Sequence, residues 1–388
     1  AGSHARTTYE NITRYSNVDR DKVYLVNPKY DRLFDQKCYK SVKDIPSDRI
    51  DVVIIVVRAD LAVQAVKESD ECNIPFALVM SSGFAEVGEK GKEVQAQLEE
   101  VVKNGNIRVY GPNCPGLVDI NRRLGMTFSP AYKHDTLSGG IGLIAQGGGV
   151  GRSLLQGMKR GIGFGYFISL GNEIDLDITD FIFHMLEDPK IKVIMIVAEG
   201  IKDGEKFKEV ANYALKKEKP IVILKVGRTA EGQKAVLSHT GKLAGSDQVF
   251  DALCEQYGII RVNDVDELLE TSALLARCGV RKENGIVIIT GSGGSGAHLA
   301  DQIGYAGLEL AELSSQTVEK LKEITPPFAS LKNPVDLTAT ALEDEELHAG
   351  CFEVIARDQN AHIIIEPGEP SYGEKTKKRA RELVEMQK

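Results

Sequence analysis

Apolar residues recur along this chain in short β-rich runs, separated by stretches where they return every three or four positions. Between residues 22 and 111 the runs are 23–26, 52–57, 76–81 and 107–110. Between them, Leu61, Ala62, Ala65 and Val66 share a helical face, and 89–103 reads as a charged amphipathic helix. The runs are continuous rather than alternating, which means strands buried on both faces, the pattern of a parallel α/β layer. A Pro-, Ser- and Gly-rich stretch, 129–140, reads as a linker. A second alternation follows, with strands at 141–145, 165–170, 193–198 and 221–226. Its helices carry Leu154, Leu155 and Met158, then Ile178, Phe181, Ile182 and Met185, then 203–217, 247–257 and 265–277. A third begins near Asn284, with strands at 286–290 and 362–366, helices near 315–323 and 343–357, and a charged helix over 373–388. A doubly wound domain normally adds a further strand after such a helix.

Ligands of parallel sheets sit beyond the carboxyl ends of the strands. In the first layer those ends carry Asn27-Pro28-Lys29, Arg58-Ala59, Ser81-Ser82-Gly83-Phe84 and Gly111-Pro112-Asn113-Cys114-Pro115-Gly116. Any one of these is an ordinary turn; the four together, with Lys29 as a phosphate partner, point to a nucleotide-like ligand. The second layer opens with a strand, the loop Gln146-Gly147-Gly148-Gly149-Val150-Gly151, and a helix. The device recurs 145 residues later as Gly291-Ser292-Gly293-Gly294-Ser295-Gly296. At that constant offset Ile141, Ile144, Gly148, Gly149, Gly151 and Leu154 fall on Ile286, Ile289, Gly293, Gly294, Gly296 and Leu299, an internal repeat. A glycine loop opening a helix lets backbone N–H groups approach an anion and favours its charge, so the two helix starts are expected to face one phosphate. Glu199 and the stretch Leu237-Ser238-His239-Thr240-Gly241 both leave carboxyl ends of expected strands. If they meet, the carboxylate keeps one imidazole nitrogen protonated and leaves the other as nucleophile. His134, His184, His348 and His362 have no partner motif and read as structural or surface; His298, inside the second glycine-headed helix, reads as packing or exposed.

A length of 388 residues allows two or three domains, and 42% hydrophobic with 27% charged residues is ordinary globular composition. No apolar run approaches the ~20 residues of a membrane helix. The net charge of −8, from 56 acidic and 48 basic residues, argues against nucleic acid as a partner. Cys38, Cys72, Cys114, Cys254, Cys278 and Cys351 are scattered, with no zinc spacing and no metal site expected, which suits a reducing cytoplasm. No G-x-G-x-x-G follows an early strand, so a nicotinamide dehydrogenase is the weaker reading.

With these residues assembled, the chain resembles the NDP-forming acyl-CoA synthetases, the ADP-forming acetate-CoA ligase alpha-subunit group related to the succinyl-CoA synthetase alpha subunit. The resemblance covers nearly the whole chain. Its carriers are Val26-Asn27-Pro28-Lys29-Tyr30, Ser82-Gly83-Phe84, Gly111-Pro112-Asn113-Cys114, Ser169-Leu170-Gly171-Asn172, Glu199-Gly200-Ile201-Lys202-Asp203-Gly204, Ser238-His239-Thr240-Gly241 and Asn333-Pro334-Val335-Asp336-Leu337. It implies a Rossmann-like CoA-binding domain (1–136) lacking its first strand, a flavodoxin-like ligase domain with a phosphohistidine loop (137–282), and a second, C-terminally incomplete flavodoxin-like domain (283–388). It implies that acyl-CoA and phosphate give an acyl phosphate, that His239, steadied by Glu199, takes the phosphoryl group, and that ADP receives it. The implied CoA contacts are Gly2, Ser3, Lys29, Val57, Ser81, Ser82, Gly83, Asn113 and Cys114. The implied phosphate contacts are Gly147, Gly148 and Gly149 with Gly293, Gly294 and Gly296. ADP or ATP with Mg²⁺ belongs on ATP-grasp domains outside this chain, on a partner subunit or further polypeptide, and a homo- or hetero-oligomer is expected. Two departures stand out. The family's first phosphate loop usually reads Ser-Gln-Ser-Gly, and Ala145-Gln146-Gly147-Gly148 lacks both hydroxyls. Gly2-Ser3 is either a remnant of the family's Gly-Ala-Ser loop or a tag. The missing hydroxyls leave a non-catalytic CoA- or acyl-CoA-sensing module as the alternative.

Overall fold

A computed structural model describes residues 4–240, 246–280, 283–338, 344–367 and 373–386. The chain divides into two units, Ala1–Val280 and Arg281–Lys388. Among the described residues, no helix is long and apolar enough to cross a membrane.

The first unit begins with α1 (His4–Tyr15), β1 (Leu25–Val26), β2 (Arg32–Leu33) and β3 (Gln36–Tyr39). These three strands form a small sheet of their own, in the order β1-β3-β2. The run expected at 23–26 therefore does not extend the larger parallel layer. Its strand is two residues long, pairs in parallel with β3, and leaves Val26 exposed. The parallel layer itself is β4 (Val52–Ile55), α2 (Ala59–Glu71), β5 (Phe76–Val79), α3 (Glu89–Asn104) and β6 (Arg108–Tyr110), with strand order β4-β5-β6. Ala62 and Val66 of α2, and Leu98 of α3, close its core at full burial, as their helical spacing requires.

Next comes a hairpin that hydrophobic periodicity did not announce, β7 (Gly116–Asp119) and β8 (Leu124–Thr127). It joins a seven-stranded sheet built from β9 (Ser138–Gln146), α4 (Gly148–Leu154), β10 (Phe164–Leu170), α5 (Ile178–Glu187), β11 (Val193–Ala198), α6 (Gly204–Lys216), β12 (Ile221–Lys225), α7 (Ala230–Thr240), α8 (Asp247–Gln256), β13 (Ile260–Val262) and α9 (Val265–Cys278). The strand order is β13-β12-β11-β9-β10-β7-β8, with β7 antiparallel to β10. Residues expected as a linker are thus partly structural: β9 starts at Ser138, Tyr132 is buried, and buried Asp135 pairs with Arg152. Arg122, between β7 and β8, donates to Asp119 Oδ2 (2.8 Å) and Asp188 Oδ2 (3.1 Å), and Tyr166 Oη donates to the same Asp188 oxygen (2.7 Å). Burial opposes ionisation of Asp188, but hydrogen bonds from Tyr166, the Lys190 backbone and Arg122 hold its carboxyl below the usual range.

The second unit contains β14 (Ile286–Thr290), α10 (Gly293–Tyr305), α11 (Ser315–Ile324), β15 (Val335–Asp336), α12 (Glu345–Ala356), β16 (Ile363–Ile365) and α13 (Glu374–Met386). The described strands form a parallel sheet in the order β15-β14-β16. That is the order of β10-β9-β11, and the registers agree: Ile144 pairs with Ile168 as Ile289 pairs with Val335. The internal repeat seen in the glycine loops is therefore a repeat of topology.

Candidate functional site

Three of the four loops expected at one edge converge. The ends of β4, β5 and β6 line a cavity of about 730 Å³ through Val57, Ser81, Ser82, Gly83, Asn113 and Cys114, joined by Arg58 and Pro115. Ser81 Oγ accepts from the Val57 N–H (3.2 Å), and Asn113 N–H donates to Ser81 O (2.9 Å), so the three loops brace one another. Gly111 must be glycine: its φ is +109°, and a Cβ there would lie 2.5 Å from Val79 O. Cys114 is buried and its thiol is pushed up to about 12 by desolvation, so it is a neutral wall of the cavity and not a nucleophile. The remaining wall includes His4, stacked on Phe128 at 4.0 Å. No sequence signal marked either residue, because α1 and the stretch after β8 carry no motif.

Lys29 is exposed in the turn after β1, its N–H donating to Asn27 Oδ1 (2.9 Å), and is not part of the cavity lining. Its strand belongs to the small sheet and not to the layer that builds the cavity. Gly2 and Ser3 lie outside the described residues.

The second constellation is at the carboxyl edge of the seven-stranded sheet. Gly147 has φ +91° and turns the chain from β9 into α4. The three glycines after it differ in what surrounds them. A Cβ on Gly148 would sit 3.1 Å from Pro115 Cγ and 3.7 Å from Ser169 Oγ; one on Gly149 would meet nothing; one on Gly151 would come within 2.6 Å of Ala145 Cβ. Gly151 thus lets the helix pack on its strand, and Gly149 leaves the helix start open. Ser169 is fully buried, and its hydroxyl has no hydrogen-bond partner among the described residues.

Gln146 links this loop to Glu199. Its Oε1 accepts from the N–H groups of Glu199 (2.6 Å) and Gly200 (3.0 Å), and its Nε2 donates to Glu173 Oε1 (2.8 Å) and Gly200 O (2.9 Å). Glu199 is half-buried at the end of β11, and β12 lies beside it. Lys225, last residue of β12, is 5% exposed and donates to Glu199 O and Val226 O, both at 2.7 Å. Burial pushes its ammonium below the ordinary lysine range. Neither Gln146 nor Lys225 was singled out from sequence; a polar side chain closing each of two buried strands was the available signal. The segment expected as a loop around His239 is helical through Thr240, since α7 spans Ala230–Thr240. The side chains of 237–240, and residues 241–245, lie outside the described residues.

In the second unit the equivalent helix start is built differently. A Cβ on Gly293 would lie 2.9 Å from Asp336 Oδ2, one on Gly294 would meet nothing, and one on Gly296 would sit 3.1 Å from Thr290 Cγ2. His298 is exposed. His348 is buried, its Nε2 3.2 Å from Glu366 Oε1, and burial pushes the Glu366 carboxyl up to about 7.

Comparison with known proteins gives three family matches in series: a CoA binding domain over residues 3–119, a succinyl-CoA ligase like flavodoxin domain over 138–275, and a ligase-CoA domain over 286–365. The acetate–CoA ligase [ADP-forming] II subunit alpha of Pyrococcus furiosus is 36% identical over 92% of this chain and 76% of its own length. Acetate–CoA ligase [ADP-forming] I of Archaeoglobus fulgidus is 35% identical over 94% of this chain, which spans only 51% of that relative. Among solved structures, Ca. Korarchaeum cryptofilum dinucleotide forming acetyl-coenzyme A synthetase 1, in complex with phosphate and ADP, superposes with a TM-score of 0.85 at 30% identity, covering 94% of this chain and 77% of that one. The chain belongs to the ADP-forming acetate–CoA ligase family, as a relative of its alpha subunits.

Proposed function

We propose that the chain is the CoA-binding, phosphoryl-carrying component of an ADP-forming acyl-CoA ligase. The observation that carries this reading is the carboxyl edge of the seven-stranded sheet. There the glycine-headed start of α4, Glu199 and the segment leading to His239 follow β9, β11 and β12, which are neighbours in the sheet.

The braced loops of the first layer suit CoA as substrate: a cavity of mixed polar and apolar walls, with Ser81–Gly83 and Asn113 for polar contacts and Val57 and Cys114 as inert walls. Gly147, Gly148 and Gly149 hold the phosphate, whose charge the open helix start favours. The unpartnered Ser169 hydroxyl beneath Gly148 supports this, standing in for the hydroxyls that Ala145 and Gly147 lack. Gly293, Gly294 and Gly296 form a second anion-facing start, weakened by the Asp336 carboxylate beside it.

In the reaction, a phosphate oxygen attacks the thioester carbonyl, the C–S bond breaks, and CoA leaves as a thiol after taking a proton. The His239 imidazole then attacks phosphorus, the acyl P–O bond breaks, and the carboxylic acid leaves as carboxylate. Glu199 accepts a hydrogen bond from the other ring nitrogen and offsets the positive charge that develops on the ring. The phosphoryl group passes to ADP, which with its Mg²⁺ is held by an ATP-grasp subunit or domain outside this chain; an alpha-subunit relationship supports such a partner.

Incubation with acyl-CoA and phosphate, or with ATP and the ATP-grasp partner, yields an acid-labile, base-stable phosphoprotein that His239→Ala abolishes. CoA binding without phosphorylation by either route overturns the proposal in favour of a CoA-sensing module.

A further inference from the structure

Glu199 is gripped by its backbone from both sides. Its N–H donates to Gln146 Oε1 (2.6 Å) and its carbonyl oxygen accepts from Lys225 Nζ (2.7 Å). The grips come from the two strands that flank β11, one from the end of β9 and the other from the end of β12. Each gripping side chain is committed elsewhere as well. Gln146 uses both amide protons and both acceptor sites of its oxygen, reaching Gly200 and Glu173. Lys225 also donates to Val226 O, the first link of the segment that runs to His239.

Burying an ammonium at the end of a sheet is expensive, and an apolar side chain of similar length fills the same space without that cost. The cost is met at the end of β12, where the ammonium reaches the carbonyl oxygen of Glu199 as that residue leaves the neighbouring strand. A carboxylate that must address a reacting imidazole needs its backbone fixed, because misplacement by about 1 Å costs roughly 100-fold in rate.

We infer that Gln146 and Lys225 are positioning residues that clamp the Glu199 peptide for phosphoryl transfer to and from His239, with Lys225 tying that clamp to the start of the histidine-bearing segment. The inference rests on the proposed phosphohistidine chemistry and adds the residues that align it.

The test uses the chain assembled with its ATP-grasp partner and ATP radiolabelled on the γ-phosphate. Gln146→Ala and Lys225→Met each slow phosphohistidine formation by about 100-fold, leave KM for CoA unchanged, and shift the pH profile of that step. In a Glu199→Gln background neither substitution slows the step further by more than about twofold, because residues acting through one group are non-additive. Lys225→Gln serves where Lys225→Met does not fold. The clamp is overturned by an equal loss on top of Glu199→Gln, or by losses that follow the melting temperature with an unmoved pH profile. Wild-type protein that takes up no acid-labile phosphate overturns the phosphohistidine reading, and the clamp with it. Labelled wild type with additive variants overturns the clamp alone.

Discussion

The carboxyl edges of β9 and β14 open the same three-strand topology, yet their polar side chains are placed differently. In the first unit the bracing carboxamide, Gln146, sits at the edge itself and ties one strand exit to another. In the second unit the bracing carboxamide is Asn333, and it works inside the sheet: its Oδ1 accepts from Ile288 N–H, and its Nδ2 donates to Ile286 O and Ala311 O. The position next to the helix start also differs in charge. Ser169 pairs with Ala145 and Asp336 with Thr290, equivalent places in the repeat, one a neutral hydroxyl and the other a carboxylate. Beside the helix start stands a hydroxyl in the first unit, 3.7 Å from a Cβ built on Gly148, and a carboxylate oxygen in the second, 2.9 Å from one built on Gly293. A duplicated topology therefore does not duplicate chemistry; the side chains at the strand ends decide it.

The largest expected effect lies in the second unit's buried acid. Glu366 has a folded-state pKa of about 7 against 4.5 unfolded, so between these values the folded chain binds the extra proton and stability falls as pH rises. Urea unfolding followed from pH 4.5 to 8 shows a loss on the order of 2–3 kcal/mol for that unit, and Glu366→Gln removes the slope.

Asn333→Ala costs about 2–3 kcal/mol, since it leaves buried backbone groups without partners, and its effect is confined to stability. Gln146→Ala costs a similar amount but strikes phosphorylation as well. Equal loss of activity from both would break the contrast between the two edges.

Smaller effects come from the glycines that seat each helix. Gly151→Ala costs about 2 kcal/mol by overpacking, since its Cβ would lie 2.6 Å from Ala145 Cβ, and Gly296→Ala about 1 kcal/mol or less with 3.1 Å available. Denaturant midpoints rank them. The smallest change is Asp336→Asn, which keeps the hydrogen bond from Thr338 N–H but removes the charge. It raises phosphate affinity in the second unit by a few-fold, about 0.5 kcal/mol, measured by titration calorimetry with inorganic phosphate.

Much of this was legible in the residues. Continuous apolar runs located Val193–Ala198 and Ile286–Thr290 to the residue, because strands buried on both faces leave no polar interruption. The offset of 145 residues between glycine loops predicted a repeat that the strand order bears out. What stayed hidden depends on partners distant in sequence. The hairpin of β7 and β8 is short, and Gly116 and Gly125 dilute its pattern, so nothing local shows that β7 finds β10. Lys225 is one of many lysines until its neighbours are known. The stretch around His239, 237–245, holds it between small, polar and glycine residues, which suggests a loop. The helix that starts before it, 230–240, includes Ala230, Glu231, Gln233, Lys234, Ala235 and Leu237, good helix formers that outweigh Gly232.

The hairpin also decides where the chain can be cut. A fragment starting at residue 137 takes β10 without the strand that covers it, and so presents a bare row of N–H and C=O groups to any second copy. It also loses Arg122 from Asp188, leaving a buried carboxylate with one fewer donor. Gene fusions, domain exchanges and limited proteolysis that respect this sheet must break before Gly116. The natural joint of the first unit is therefore the loop between β6 and β7, which is the loop that also walls the cavity of the first layer through Asn113, Cys114 and Pro115, so cutting there and opening that cavity become one event.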